Sequence, residues 1–280
     1  MAIPTVQLPD GVRVPAIGQG TWRMGERERD GRLEEQALRI GLDLGLTLID
    51  TAEMYGEGRS EELVGRAIAD RRNETFLVTK VYPHNASRSG VVAACERSLR
   101  RLRTDRLDLY LLHWRGGVPL SETVEAFERL GHAGKIVRWG VSNFDVEDME
   151  EVAALPGGDA CASDQVLYNP DYRGIEFDLI PWAKGRQMPL MAYSPVGQGG
   201  RLLRAPALDK IARRHGKTPA QIAIAWAVRS GTVIAIPKAA SPDHVRENAE
   251  AAEIVLTPED LAEIDAAFPQ PARKQALAML

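Results

Sequence analysis

Short apolar runs alternate along this chain with longer stretches in which apolar residues recur every three or four positions. A short apolar run that ends at Gly, Pro or a polar residue is typical of a buried strand, and the longer spacing is typical of an amphipathic helix. Eight strands are predicted in this way, at 16–20, 46–50, 75–80, 107–113, 136–142, 161–167, 189–194 and 233–237. Helices are predicted between them at 32–44, 60–69, 90–102, 121–133, 146–154 and 218–229.

Eight strand-and-helix units in a chain of 280 residues predict an α/β fold, a closed (β/α)8 TIM barrel. We expect one barrel domain that spans residues 1–280. Residues 6–14 form two extended pieces around Asp10-Gly11, which predicts an N-terminal β-hairpin outside the count of eight. This hairpin is expected to cover the bottom of the barrel.

Four residues are predicted to cap helices at their N-termini. Ser60 and Ser121 stand directly before acidic residues, which are favourable in the first turn of a helix. Thr218 and Ser241 each precede a proline, and proline is favoured at the first helical position.

Composition narrows the class of protein. The net charge is −4, which provides no general attraction to nucleic acid or to an anionic membrane. No apolar run approaches the length of a membrane span, and residues 1–6 show no basic segment of a signal peptide. The two cysteines, Cys95 and Cys161, could pair, but nothing suggests a disulfide framework, so we expect reduced thiols and a cytoplasmic location.

The candidate chemistry lies where three consecutive predicted strands end. Asp50, Lys80 and His113 occupy these ends, and Tyr55 follows Asp50 on the next loop. In a barrel the carboxyl ends of neighbouring strands meet at one rim, where catalytic residues are found. Only seven of the 35 basic residues are lysines, so a lysine at a strand end suggests a need for a compact ammonium.

Each of these four groups has a plausible chemical role. A free phenol has a pKa of about 10, and an adjacent ammonium lowers it, so Lys80 is expected to lower the pKa of Tyr55. Asp50 would keep a partly buried Lys80 charged, and a neutral His113 can donate a hydrogen bond to a carbonyl oxygen. Taken singly, a strand-end Asp, Tyr or His is more often structural. All four at adjacent strand ends suit proton transfer to a carbonyl.

The chain resembles the aldo-keto reductases over essentially its whole length. The matching motifs begin with Gly18-Gln19-Gly20-Thr21-Trp22, Asp50-Thr51-Ala52-Glu53-Met54-Tyr55-Gly56, Val78-Thr79-Lys80 and Leu111-Leu112-His113-Trp114. They continue with Gly140-Val141-Ser142-Asn143-Phe144, Gln165, Ala192-Tyr193-Ser194-Pro195 and Ile236-Pro237-Lys238. The resemblance implies an NADP-dependent reductase of aldehydes or ketones. It also implies that Tyr55 is the general acid, that Lys80 and Asp50 tune it, and that His113 orients the substrate carbonyl.

The resemblance also implies which residues bind the cofactor and the substrate. Ser142, Asn143 and Gln165 correspond to ligands of the carboxamide, Tyr193 to the ring stacked on the nicotinamide, and 194–200 to the pyrophosphate loop. The full set of implied cofactor residues is Gly20, Thr21, Trp22, Asp50, Ser142, Asn143, Gln165, Tyr193, Ser194, Pro195, Val196, Gly197, Lys238, Ala239, Ser241, His244, Glu247 and Asn248. The implied substrate pocket consists of Trp22, Tyr55, Tyr82, His113 and Trp114.

Three features depart from the family pattern. The loop after Trp114 is only 115–119, and the tail after Phe268 is short, which together suggest an open pocket of the bacterial type. In the segment that faces the 2′-phosphate of NADP, many members have an arginine where this chain has His244. We therefore expect NADPH to be preferred over NADH, but less strongly than in members with arginine.

Two other classes of protein fit parts of the pattern. A regulatory subunit that binds the nicotinamide nucleotide on the same fold is one alternative, but a binding module has no need for all four candidate catalytic residues. A metal-dependent barrel hydrolase would need a cluster of His and Asp ligands, and no spacing of that kind is present, so no metal is expected. The expected partner is a small carbonyl substrate, and the expected state is a monomer.

Overall fold

The computed structural model describes residues 2–280, apart from the side chain of Glu28; Met1 of the predicted domain lies outside the described residues. Two strands form an antiparallel hairpin, β1 at Thr5–Gln7 and β2 at Arg13–Pro15. Eight parallel strands follow: β3 Gln19–Gly20, β4 Leu48–Asp50, β5 Phe76–Val81, β6 Leu109–Leu112, β7 Trp139–Ser142, β8 Asp164–Leu167, β9 Leu190–Tyr193 and β10 Val233–Ala235.

The eight strands close into a barrel. They pair in chain order from β3 to β10, and the first and last are joined by parallel bridges from Ile17 to Ala235 and from Gly20 to Lys238. At this closure the Gly18 N–H donates to the Ala235 carbonyl at 2.8 Å, and the Ala235 N–H donates to the Ala16 carbonyl at 2.8 Å. The predicted (β/α)8 barrel is confirmed, and each predicted strand overlaps an observed one.

Ten α-helices accompany the strands in the described part of the chain. They are α1 Gly31–Asp43, α2 Arg59–Ala67, α3 Arg88–Leu102, α4 Leu120–His132, α5 Val146–Ala154, α6 Leu179–Gly185, α7 Pro206–His215, α8 Pro219–Val228, α9 Pro242–Glu250 and α10 Pro258–Ala267. All six predicted helical stretches are present, and α9 begins after the predicted cap at Ser241. The helices α6, α7 and α10 were not predicted. None of the described helices has the length and apolar composition that crossing a membrane requires.

The apolar core has two parts, separated by the barrel wall. Inward-facing residues such as Leu48, Val78 and Leu109 fill the barrel, and outward-facing residues pack beneath the helices. The hairpin residues Val6 and Leu8 belong to the inner part and are almost fully buried. The hairpin therefore closes the bottom of the barrel, as predicted, and leaves the opposite rim free for a site.

Two of the four predicted N-caps are correct. The Thr218 hydroxyl accepts from the Gln221 N–H in a capping box, and the Ser241 hydroxyl accepts from the His244 N–H. The prediction for Ser121 is wrong because α4 already begins at Leu120, after Pro119.

The predicted cap at Ser60 is also wrong. Three successive residues with positive φ, Gly56, Glu57 and Gly58, turn the chain early, so that α2 begins at Arg59. Ser60 consequently lies inside the helix, and its buried hydroxyl donates to the Thr21 hydroxyl at 2.8 Å. This contact joins α2 to the loop that follows β3.

Asp164 on β8 carries a buried carboxyl group that forms no ion pair with the described side chains. Its neighbour Gln165 reaches Asp50 inside the barrel, so Asp164 faces outward, because side chains alternate along a strand. Neither carboxyl oxygen makes a hydrogen bond of normal geometry among the described residues. Burial raises the pKa of Asp164 well above its ordinary value, and the nearby backbone amide of Phe144 only partly offsets that rise.

We expect Asp164→Asn to remove a loss of stability that the wild-type protein suffers as pH rises. A carboxyl group whose pKa is raised by folding favours the folded state fully only below the pKa of the unfolded chain, near 4, and this contribution is lost at higher pH. The difference in the free energy of unfolding, Asp164→Asn minus wild type, should therefore be larger at pH 7.5 than at pH 4.5. Urea unfolding at both values measures this difference. Asp105→Asn, at an exposed aspartate, is the control; equal pH dependence in all three proteins would contradict the expectation.

Candidate active site

The alternation of side chains along β4, β5 and β6 places three of the four candidate residues inside the barrel. Leu48, Val78 and Leu111 point inward, and Asp50, Lys80 and His113 lie two residues further along the same faces. The three polar groups consequently form a layer directly above the apolar filling, at the carboxyl ends of the strands. The backbone N–H of His113 donates to the Val81 carbonyl at 3.0 Å, which fixes the end of β6 beside β5.

Tyr55 reaches this layer from the loop after β4. Its hydroxyl lies 3.2 Å from the Lys80 Nζ, and its ring lies edge-on to the His113 ring with 5.8 Å between the centroids. The Lys80 Nζ also donates to an Asp50 carboxylate oxygen and to the Thr51 carbonyl, each at 2.8 Å. All three donor positions of the ammonium are thus directed at Asp50, Thr51 and Tyr55.

Asp50 and Lys80 form a fully buried ion pair, with side-chain exposures of 2% and 0%. Burial works against the charged ammonium, but Asp50 and Tyr55 outweigh it, so the pKa of Lys80 is raised. Burial also raises the pKa of Asp50, and the Lys80 ammonium opposes that rise. A second partner supports the carboxylate, because the Gln165 side-chain amide donates to it at 2.7 Å.

The two groups that face the cavity are both held in their neutral forms. Burial, assisted by the Lys80 charge, lowers the pKa of His113 well below its usual value, as the proposed role of a neutral imidazole requires. The prediction of a lowered pKa for Tyr55 is wrong. Burial raises the pKa of Tyr55, and Lys80 lowers it without outweighing burial. The phenol therefore keeps its proton at neutral pH, while the Lys80 ammonium stabilises the phenolate and limits the rise of the pKa.

A cavity of about 650 Å³ opens above these groups. It is large enough for a cofactor and a small substrate together. Most of the residues implied by the family resemblance line it: Gly20, Thr21, Trp22, Asp50, Tyr55, His113, Trp114, Ser142, Asn143, Gln165, Tyr193, Ser194, Pro195, Val196, Lys238, His244, Glu247 and Asn248.

Five of the implied residues do not line the cavity. Lys80 lies behind Tyr55, and Ser241 caps α9. Gly197 and Ala239 are not among the lining residues, although their neighbours are. Tyr82 is not among the lining residues, but its ring lies next to two that are, with 5.3 Å to the centroid of Trp114 and 6.4 Å to that of His113, so its place in the substrate pocket stays a prediction.

The implied carboxamide ligands form one connected network. The Asn143 amide group donates to the His113 carbonyl and to the Ser142 hydroxyl, and it accepts from the Tyr193 hydroxyl at 2.9 Å. The Ser142 hydroxyl in turn donates to the Gln165 carbonyl at 2.7 Å. Asn143 has a positive φ of 60°, a conformation that is unfavourable for most residues and is found at sites that need a fixed side chain.

Two features of the cavity wall suit phosphate groups. Three successive residues with positive φ, Gly197, Gln198 and Gly199, form a tight loop after β9; the Gly197 and Gly199 N–H groups donate within the turn, which leaves the Gln198 N–H of this loop to meet an anion. The N-terminus of α9 lines the same cavity; its first residue is Pro242 and the His244 N–H is capped by Ser241, so its attraction for negative charge comes from the helix dipole. Lys238 is exposed beside it, and His244 lies in its first turn. The residues present therefore fit a dinucleotide.

Sequence reasoning missed several residues that line the cavity. These are Arg23, Met54, Leu203, Thr218, Pro219, Ala220, Ile236, Met279 and Leu280; Gln198 and Gly199 also line it and belong to the predicted pyrophosphate loop. The short tail was expected to leave the pocket open, but it runs back to the rim and contributes Met279 and Leu280 to the wall. Near the start of the tail, the Lys274 ammonium forms an ion pair with Glu147 on α5 at 2.8 Å, which holds the tail against the barrel. Arg23 directly follows Trp22 and Met54 directly precedes Tyr55. The sequence motifs could therefore have identified both as cavity residues.

Comparison with known proteins agrees with this architecture. The sequence model of the aldo/keto reductase family matches residues 16–268. The methylglyoxal reductase YeaE of Escherichia coli is 51% identical over 98% of both chains, and the glyoxal reductase of Bacillus subtilis is 35% identical over 94% of this chain and 92% of its own. An aldo-keto reductase from Klebsiella pneumoniae, solved in complex with NADPH, superposes with a TM-score of 0.98 at 51% identity over all of both chains. This chain belongs to the aldo/keto reductase family.

Proposed function

We propose that this protein reduces aldehydes or ketones to alcohols with NADPH, and that Tyr55 supplies the proton. The observation that carries the proposal is the contact of the Tyr55 hydroxyl with a fully buried ammonium, at 3.2 Å from Lys80, in a cavity whose wall also suits a dinucleotide. Turnover of an aromatic aldehyde, followed by the loss of NADPH absorbance, tests it directly.

The residues of the site divide the work of the reaction. Bound NADPH supplies the hydride to the carbonyl carbon. As negative charge builds on the carbonyl oxygen, the Tyr55 hydroxyl donates its proton to that oxygen, and the adjacent Lys80 ammonium stabilises the phenolate that remains. Asp50 holds Lys80 charged and in place. Neutral His113 donates a hydrogen bond that orients the carbonyl.

The other two classes of protein fit this site less well. A regulatory subunit that only binds the nucleotide has no need for the buried Asp50–Lys80 pair aimed at Tyr55. Among the described residues no group of three or more His, Cys, Asp or Glu side chains is arranged to hold a metal ion. Failure of the purified protein to oxidise NADPH with any aldehyde of a broad panel would favour the regulatory alternative.

We propose short 2-oxoaldehydes as the first substrates to test. The relatives from Escherichia coli and Bacillus subtilis are named as reductases of methylglyoxal and glyoxal. Trp22, Met54 and Trp114 give the cavity wall apolar surface, which also suits larger apolar carbonyl compounds. We also propose that the chain is one domain and works as a monomer. A cytoplasmic location is supported by Cys95 and Cys161, which are both buried and unpaired.

We expect His244→Arg to strengthen the preference for NADPH over NADH. His244 is exposed and lines the cavity at the first turn of α9, beside Lys238. An arginine carries a permanent charge and can bind a phosphate with two N–H groups of its planar fork, which a histidine cannot do. The ratio of kcat/KM for the two cofactors, NADPH over NADH, should rise in the variant.

Arg246 provides a control for this measurement. It lies two residues further along the helix, pairs with Asp243 at 3.1 Å and does not line the cavity. Arg246→Gln should leave the cofactor ratio close to that of the wild type. An unchanged ratio in His244→Arg would show that His244 does not contact the 2′-phosphate.

A further inference from the structure

Glu53 lies in the motif between Asp50 and Tyr55, and the proposed reaction gives it no role. Its side chain is only 7% exposed, and it does not line the cavity. A buried carboxylate is costly unless hydrogen bonds or an opposite charge compensate for the loss of water. The partners of Glu53 therefore indicate what this carboxylate does.

The backbone of Glu53 extends the pairing of the two strands that carry Asp50 and Lys80. Beyond the end of β4, the Thr51 N–H donates to the Val78 carbonyl at 2.9 Å, and the Glu53 N–H donates to the Lys80 carbonyl at 3.3 Å. Evenly spaced bonds of this kind are the pattern of a parallel pair. Lys80 is thus joined through its own backbone to the segment that leads into the next loop.

The Glu53 side chain continues this pairing where the backbone turns away. The Tyr55 N–H donates to the Ala52 carbonyl at 3.1 Å, and this turn leads the chain away from β5 and places Tyr55 in the cavity wall. The next N–H along, that of Tyr82 directly after β5, donates to the Glu53 carboxylate at 2.7 Å. Glu53 therefore holds the end of β5 at two points, the Lys80 carbonyl and the Tyr82 N–H.

Two further partners fix the Glu53 carboxylate. The Asn85 side-chain amide donates to the oxygen that also accepts from Tyr82, at 2.9 Å, and the Arg97 guanidinium on α3 lies 3.4 Å from the other oxygen. Contacts from the end of β5, from the turn that follows it and from α3 thus fix the orientation of this side chain. A side chain fixed in this way can hold the elements that it joins at a constant separation.

The separation that matters for the proposed reaction is that between Tyr55 and Lys80. The Tyr55 hydroxyl lies 3.2 Å from the Lys80 Nζ, at the long end of the range for a hydrogen bond from nitrogen to oxygen. Tyr55 follows Glu53 by two residues, and Lys80 is bonded to Glu53 through its carbonyl. A displacement of about 1 Å at a catalytic group can lower a rate about a hundredfold, so this contact is sensitive to the anchor at Glu53.

We propose that Glu53 is a positioning residue, whose carboxylate holds the end of β5 against the loop after β4 and thereby fixes the Tyr55 hydroxyl beside the Lys80 ammonium. The inference rests on the proposed role of Tyr55 in carbonyl reduction. It adds a residue that lies outside the cavity and acts through Tyr55.

Two substitutions separate the reach of the Glu53 side chain from its charge. Glu53→Gln keeps the length and an oxygen that can accept from the Tyr82 N–H, whereas Glu53→Asp keeps the charge on a shorter side chain. We expect kcat/KM for an aromatic aldehyde with NADPH to fall about tenfold in Glu53→Asp and less in Glu53→Gln. Glu57→Ala, at an exposed glutamate of the same loop outside the cavity, is the control and should keep wild-type kinetics. Higher activity in Glu53→Asp than in Glu53→Gln would overturn the proposal, because the charge would then be what acts.

A cycle with Tyr55→Phe tests whether Glu53 acts through Tyr55. The factor lost in Glu53→Asp should be large in the wild-type background and close to one in Tyr55→Phe, because no hydroxyl remains to be positioned. The dissociation constant of NADPH, measured by the quenching of protein fluorescence, should be unchanged by Glu53→Asp. An equal loss in both backgrounds, or weaker binding of NADPH, would overturn the proposal, because Glu53 would then act on the fold, the Tyr82 loop or the cofactor.

The same measurements separate this inference from the proposed function. If the wild type reduced the aldehyde and Tyr55→Phe did not, while Glu53→Asp kept wild-type kinetics, the proposed function would stand and only the role of Glu53 would be wrong. If the wild type reduced no aldehyde of a broad panel, the proposed function would be wrong, and the role of Glu53 would fall with it.

Discussion

Replacement of Tyr55 by phenylalanine is expected to lower kcat/KM for aldehyde reduction by about two orders of magnitude or more. Phenylalanine keeps the ring that lies edge-on to His113 at 5.8 Å but removes the hydroxyl that lies 3.2 Å from Lys80. The carbonyl oxygen would then gain negative charge with no proton donor beside it. Steady-state kinetics with a reactive aromatic aldehyde and NADPH measures the effect.

The same experiment separates catalysis from binding. The dissociation constant of NADPH should change little in Tyr55→Phe, because all the implied cofactor contacts except Asp50 lie outside β4 and the loop that follows it. Tyr172→Phe, at an exposed tyrosine outside the cavity, is the matched control and should keep wild-type kinetics. Near-normal turnover in Tyr55→Phe would rule out Tyr55 as the acid.

Replacement of Lys80 by methionine is the second change with a large expected effect. Methionine fills a similar volume but removes the charge that lowers the pKa of Tyr55. The pKa of Tyr55 is already raised by burial and should rise further, so the phenol becomes a weaker acid and reduction should fall at every pH. The protonated phenol is the active form, so activity is lost as pH rises through its pKa, and the variant should lose this basic limb from its pH profile.

The Lys80→Met variant also leaves Asp50 buried without its counterion, which is expected to cost about 3–5 kcal/mol of stability. The double variant Asp50→Asn/Lys80→Met removes both charges, so it keeps the test informative if the single variant does not fold. Lys184→Met changes an exposed lysine and serves as the control. A pH profile that keeps the wild-type basic limb in a folded Lys80→Met protein would show that Lys80 is only structural.

The sequence by itself determined the barrel and the position of its chemistry. Strand and helix periods are local properties of the chain, and all eight predicted strands and six predicted helical stretches were recovered because each period spans only a few residues. The same alternation that turns Leu48 and Val78 inward also carries Asp50 and Lys80 to the inner face, so the candidate residues could be placed at one rim. Even α7 and α10 carried readable signals, since each has a proline in its first turn.

Only the tertiary structure decided how these groups behave together. The lowered pKa expected for Tyr55 follows from one neighbour, Lys80, but the actual rise follows from burial by the whole surrounding wall, which no local stretch encodes. Long-range contacts also turned Ser60 inward to Thr21 and returned the tail to the cavity rim. The sequence therefore determined which groups meet, because local periodicity directs side chains to one face. The pKa of each group depended instead on the balance between burial and charge, which is set by atoms that are distant along the chain and adjacent only in the folded protein.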